Sequence, residues 1–129
     1  MSELRIQPVS LHGFSIEPSF DGSRLAVKLI GTADMRAQRT IASVLRELHT
    51  EAMRLGARKV SVDYRDLEFM NSSCFKEFIT WLGDVRALPP NDKYLIRFLS
   101  DPRKHWQARS LSALSCFAVD VVELDPPQS

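Results

Sequence analysis

The feature that most constrains this chain is a repeated switch between two spacings of apolar residues: every second position, then every third or fourth. Phe14 and Ile16 alternate with Ser15 and Glu17, and beyond a turn at Phe20-Asp21-Gly22-Ser23 the alternation resumes with Leu25, Val27 and Leu29. Period-two runs place one side-chain set on one face of a strand, and two such runs around Asp-Gly predict a β-hairpin with a loop of two residues or more. From Ile41 the spacing lengthens: Ile41, Val44, Leu45, Leu48, Ala52 and Leu55 mark an amphipathic helix, and Gly56 follows where a left-handed cap belongs. Val60, Val62 and Tyr64 return to alternation as a third strand, and Phe75, Phe78, Ile79, Leu82 and Val85 mark a second helix that Pro89-Pro90 must end. Tyr94 to Leu99 is nearly all apolar, the pattern of a strand buried on both faces. Ser100-Asp101-Pro102 is expected to open a third helix, with proline at its first position, and Ala118 to Leu124 to form the last strand.

This order, β-β-α-β-α-β-α-β, predicts an α/β fold: a mixed five-stranded sheet with helices packed on it through right-handed crossovers. Residues 1–12 read as a lead-in, 13–125 as the domain and 126–129 as a tail. Sheets of this kind bind partners at the carboxyl ends of their strands, which directs attention to the junctions after Ile30 and Tyr64.

Composition narrows the function. At 129 residues the chain is about one domain with a core of its own, and a formal net charge of +1 gives no reason to expect nucleic acid or an acidic membrane. No apolar run approaches the roughly 18 residues that span a bilayer. The N-terminal MSELRIQPVSLHG lacks the charged start and apolar stretch of a signal peptide, so the expectation is a cytoplasmic protein. Cys74 and Cys116 form no CxxC pair, and His12, His49 and His105 show no HxxxH spacing, so neither a disulfide framework nor a metal site is expected. No GxxxxGK or GxGxxG loop is present to cradle a nucleotide, and no cofactor is expected.

The chemistry concentrates in Asp66-Leu67-Glu68-Phe69-Met70-Asn71-Ser72-Ser73-Cys74-Phe75, between the third strand and the second helix. Asn71 and Ser72 are both strong N-cap residues, and taken alone the triplet reads as a helix cap. The run from Val60 to Ser73 nevertheless resembles the signature of STAS domains, the family of anti-sigma factor antagonists and sulfate-transporter tails. There a strand ends in a short apolar loop, followed by Asp-Ser-Ser-Gly or a variant and an apolar helix. Gly31-Thr32-Ala33-Asp34 is similar to the family's Gly-x-x-Asp element, and the element order resembles the family from Phe14 to Leu124.

The resemblance implies a phosphorylation-controlled protein-binding regulator of bacterial signal transduction rather than an enzyme. Ser72 matches the family's acceptor serine, with Ser73 as the alternative, and Asp34 and Asn71 shape the site. The implied partners are a serine/threonine kinase of the anti-sigma type, which phosphorylates the antagonist and so releases it, and a matching phosphatase. Two positions depart from the pattern: Asn71 stands where the family has aspartate, and Cys74 where it has glycine. Asparagine before the acceptor also resembles a smaller STAS-like branch, whose members engage a diguanylate cyclase. A non-phosphorylated scaffold subunit is a third reading.

Other readings centre on single features. Cys74 in the first turn of a helix is a nucleophile candidate, but Met70, Phe75 and Phe78 around it suggest a buried, inert thiol. Arg103, Lys104, His105, Trp106 and Arg109 form a basic, aromatic patch, read as a solvated helix face with Trp106 half packed. Lys76, Glu77, Thr80 and Trp81, beside the acceptor serine, make a candidate docking face, with Ser73 also near the partner.

Overall fold

In the computed structural model, which describes residues 4–126, the chain forms one mixed sheet with helices on it. The elements are β1 (Val9–Leu11), β2 (Phe14–Phe20), β3 (Leu25–Ala33), α1 (Gln38–Leu55), β4 (Lys59–Met70), α2 (Ser72–Arg86), β5 (Leu95–Leu99), α3 (His105–Phe117) and β6 (Val122–Asp125). A short 3-10 helix, Met35–Ala37, joins β3 to α1. The ends of the expected lead-in and tail, residues 1–3 and 127–129, lie outside the described residues.

Among the described residues the sheet has six strands, not the five expected, in the order β1-β2-β3-β4-β5-β6. The added strand, β1, falls in the segment expected as lead-in. Its three residues are too few for alternation to stand out, and it forms because β2 offers it an edge through a tight turn at His12-Gly13, where Gly13 takes φ +69°. The β2–β3 hairpin closes through four residues, 21–24, with Asp21 Oδ1 accepting from the backbone N–H of Ser23 and Arg24.

β2 and β3 run antiparallel, and from β4 onward every strand pairs parallel to the one before it. The three crossovers therefore run in one direction across the sheet, and right-handed connections put all three helices on the same face. That face holds the core: Leu25, Val27, Leu29, Val60, Val62, Tyr64, Ile96 and Phe98 lie under Ile41, Leu48, Phe78, Leu82, Leu111 and Leu114. Among the described residues the other face carries no layer. Ion pairs cross it instead, Lys28 to Asp66 at 3.0 Å and Lys59 to Glu123 at 3.3 Å, with Arg97 bonded to Asp125.

This corrects the reading of β5. Leu95 is exposed and Arg97 half-buried, so β5 is covered on one face only, because no helix packs on the second. The start of the third helix also moves. Asp101 Oδ1 accepts from Arg103 N–H at 3.0 Å, turning the chain through residues 101–104, and α3 begins at His105. The cap of α1 is as expected, with Gly56 at φ +64° and its N–H donating to Ala52 and Met53.

Candidate functional site

The two sequence elements singled out, Gly31-Thr32-Ala33-Asp34 and Asn71-Ser72-Ser73, meet at the carboxyl ends of adjacent strands. Ala33 pairs with Met70 at the ends of β3 and β4, and the Asn71 N–H donates to the Ala33 carbonyl at 2.8 Å. Asn71 holds an extended backbone (φ −66°, ψ +151°) and caps α2. Its Oδ1 accepts from the Ser73 N–H at 2.7 Å and from the Ser73 hydroxyl at 2.6 Å, and its carbonyl accepts from the N–H groups of Cys74 and Phe75.

This arrangement separates the two serines. The Ser73 hydroxyl is committed to Asn71 and half-buried. Ser72, in the first turn of α2, is exposed, and its hydroxyl makes no hydrogen bond within the described residues. An unshared hydroxyl at a helix N-terminus is open to a transferring reagent in a way that the neighbouring one is not.

Asp34 caps the 3-10 helix, its carboxylate accepting from the Arg36 backbone at 2.9 Å and pairing with the guanidinium at 2.8 Å. The Arg36 side-chain bonds, followed by the backbone bond, hold the Asp34 carboxyl below the usual carboxylate range. Its contact with α2 is through the backbone: the Asp34 carbonyl accepts from the Cys74 thiol at 3.3 Å. Lys76 is exposed one turn along α2 from Ser72, and Glu77 accepts from Gln38 of α1 at 2.9 Å.

Trp81 is not on this surface. It is 2% exposed, and its Nε1 donates to the Tyr94 hydroxyl at 3.0 Å, which in turn lies 2.6 Å from His49 Nδ1. The expected docking face therefore loses its aromatic member to the core. Two apolar residues that sequence reasoning missed stand in its place. Met35 is 70% exposed and Phe69 is 49% exposed, the first just past the end of β3 and the second next to the end of β4. With Leu11, also exposed, they place exposed apolar side chains at the end of the sheet where Ser72 lies. The sign in the sequence is that the alternation set by Val60, Val62 and Tyr64, continued past Glu68, puts Phe69 on the opposite face.

No protein-family model and no curated protein sequence matches the chain. Among solved structures, the crystal structure of an anti-sigma factor antagonist from Mycobacterium paratuberculosis is similar, with a TM-score of 0.62 and 12% identity, covering 86% of this chain and 84% of that one. The chain has a STAS-like fold.

Within this STAS-like fold the two departures from the family motif have defined places. Asn71 supplies the same capping oxygen an aspartate would, without its charge. Cys74 is fully buried, and burial pushes its thiol above the ordinary value. In a Cys116→Ser background, iodoacetamide is therefore expected to label Cys74 far more slowly than Cys116 is labelled in the wild type, and 8 M urea to abolish the difference. Rapid native labelling at pH 6 would instead make Cys74 a candidate nucleophile.

The basic patch is largely spoken for. Arg103 pairs with Asp101 and Lys104 with Glu68, both at 2.9 Å, and Trp106 is half-buried with its ring stacked on Tyr64. No group of three or more His, Cys, Asp or Glu suited to a metal ion occurs among the described residues, and no helix there is long and apolar enough to cross a membrane.

Proposed function

We propose that this protein is a cytoplasmic STAS-type regulator whose protein binding is switched by phosphorylation of Ser72. The observation that carries the reading is the exposed, unshared Ser72 hydroxyl at the start of α2, at the end of the sheet where Met35 and Phe69 are also exposed. A phosphoryl group adds about −1.5 to −2 charge near neutral pH. At a helix N-terminus the macrodipole favours an anion by roughly 0.3–1 kcal/mol, so the modification leaves the fold intact. On the binding surface it sets a strongly hydrated dianion among apolar side chains that a partner must dehydrate.

The similar solved structure is an anti-sigma factor antagonist, which supports partners of that regulatory system: a serine/threonine kinase of the anti-sigma type and a matching phosphatase. Asn71 favours a second reading, in which the same serine serves a STAS-like regulator of a diguanylate cyclase and only the partner differs. Asp34, Asn71, Ser73 and Lys76 frame the acceptor in both readings.

Mass spectrometry of the protein recovered from its native cells tests the switch. Trypsin releases Asp66 to Lys76 as one peptide holding both serines. One phosphoryl group on Ser72, absent from the Ser72→Ala protein, is the expected result. A peptide that stays unmodified across growth phases and stresses would leave Ser72 as a helix-start residue and the protein as a constitutive binding module.

A further inference from the structure

Strand β4 outruns its neighbour. It pairs with β5 only from Lys59 to Asp63, yet continues to Met70 with β3 alone beside it. Over that stretch it is twice irregular. Tyr64 and Arg65 stand against the single residue Leu29, and Glu68 is extra between the pairs Gly31–Leu67 and Thr32–Phe69. The carbonyls on its free edge have no strand to receive, and Tyr64 and Leu67 are fully buried, out of reach of water.

Side chains from α3 and the turn before it take the place of the missing strand. Gln107 is completely buried, and its Nε2 donates to the Tyr64 carbonyl at 2.6 Å and the Leu67 carbonyl at 2.9 Å, using both of its hydrogens. Its Oε1 accepts from the Asp101 N–H at 2.8 Å, so the amide is itself held in place. Lys104 Nζ donates to the Arg65 carbonyl at 2.8 Å and to Glu68 Oε1 at 2.9 Å. The clamp ends at Glu68, and the next residues are Phe69, Met70 and Asn71.

We propose that Gln107 and Lys104 are positioning residues for the Ser72 site. They hold the bulged arm of β4 in the register that presents Phe69 and sets Asn71 against Ala33, although neither touches Ser72. The role of the site rests on the function proposed above; the clamp itself does not.

Amide hydrogen exchange read by NMR tests the proposal, comparing the full-length wild type with Lys104→Met, Gln107→Leu and Gln107→Glu. Exchange at Phe69, Asn71 and Ser73 is expected to accelerate about tenfold or more in Lys104→Met and Gln107→Leu, with Val27 and Phe98 changed by less than about twofold. Gln107→Glu is expected to regain protection at low pH, where a protonated carboxyl again donates to one carbonyl, and Gln107→Leu is not. Should Gln107→Leu fail to fold, Lys104→Met, with Lys104 only half-buried, carries the comparison alone. Equal acceleration at all amides would reduce both residues to general stabilisers, and unchanged exchange at Phe69 and Asn71 would show that the arm holds itself; either result overturns the proposal. If Ser72 proves never to be phosphorylated, the switch fails while the exchange result stands.

Discussion

Ser72→Asp is expected to weaken binding of the proposed anti-sigma-type kinase by about a hundredfold, or roughly 2.7 kcal/mol, while Ser72→Ala binds within about threefold of wild type. The difference comes from what each side chain asks of the interface. Alanine removes a hydroxyl that makes no hydrogen bond within the described residues, so nothing is left unpaired. Aspartate puts a carboxylate at the start of α2, at the end of the sheet where Met35 and Phe69 are exposed, and association must strip its water without supplying a partner. Helix α2 itself tolerates the charge, so both proteins are expected to unfold at nearly the same denaturant concentration. Titration calorimetry reads the affinities and urea unfolding the stability. Equal affinity for Ser72→Asp and Ser72→Ala would place the interface elsewhere on the molecule.

Gly31→Ala is expected to be the most damaging small substitution in the hairpin region, at about 3 kcal/mol or more. Gly31 lies in β3 with φ +96°, a conformation L residues rarely adopt, and a Cβ built there would sit 2.0 Å from the Gly13 carbonyl oxygen. That carbonyl accepts the Thr32 N–H at 2.8 Å, so the turn between β1 and β2 is bonded across the end of β3. A methyl group must push the turn away and break the bond. Gly56 also has a positive φ but meets nothing within 4 Å, so Gly56→Ala is expected to cost only about 1 kcal/mol. Thermal unfolding of the two proteins separates the cases, with the midpoint of Gly31→Ala falling on the order of 10 °C. A loss at Gly31 no greater than at Gly56 would mean that the turn yields without cost.

The same glycine shows how far the sequence could be read. Gly31 and Asp34 stood out only through the resemblance of their spacing to a family element, with no reason attached. The reason is the close approach of the Gly13 turn, distant in sequence and brought to Gly31 when β2 pairs alongside β3. The helix stripes, the Asn71 cap and the Gly56 cap were legible because capping and period 3.6 are set by residues a few positions apart. The strand β1 was not, since three residues carry too little pattern and its partner edge is a tertiary fact.

Local periodicity and the capping residues therefore determined the α/β class, the order of the main elements and the junction where Ser72 begins a helix. The tertiary structure decided the rest. Tyr94 to Leu99 reads as buried on both sides, yet β5 is open on one face because three crossovers of one hand and one direction place every helix on the other. Trp81 lies near the edge of an apolar stripe, and only the packing of Tyr94 and His49 against it settles that it faces inward. In β4 two extra residues counted against β3 decide the faces locally: the first turns Leu67 inward, and the second, Glu68, restores the original alternation and leaves Phe69 facing out beside Thr32. A residue's period is a property of its neighbours in sequence, whereas its face, register and exposure are set by strands and helices that arrive from elsewhere in the chain.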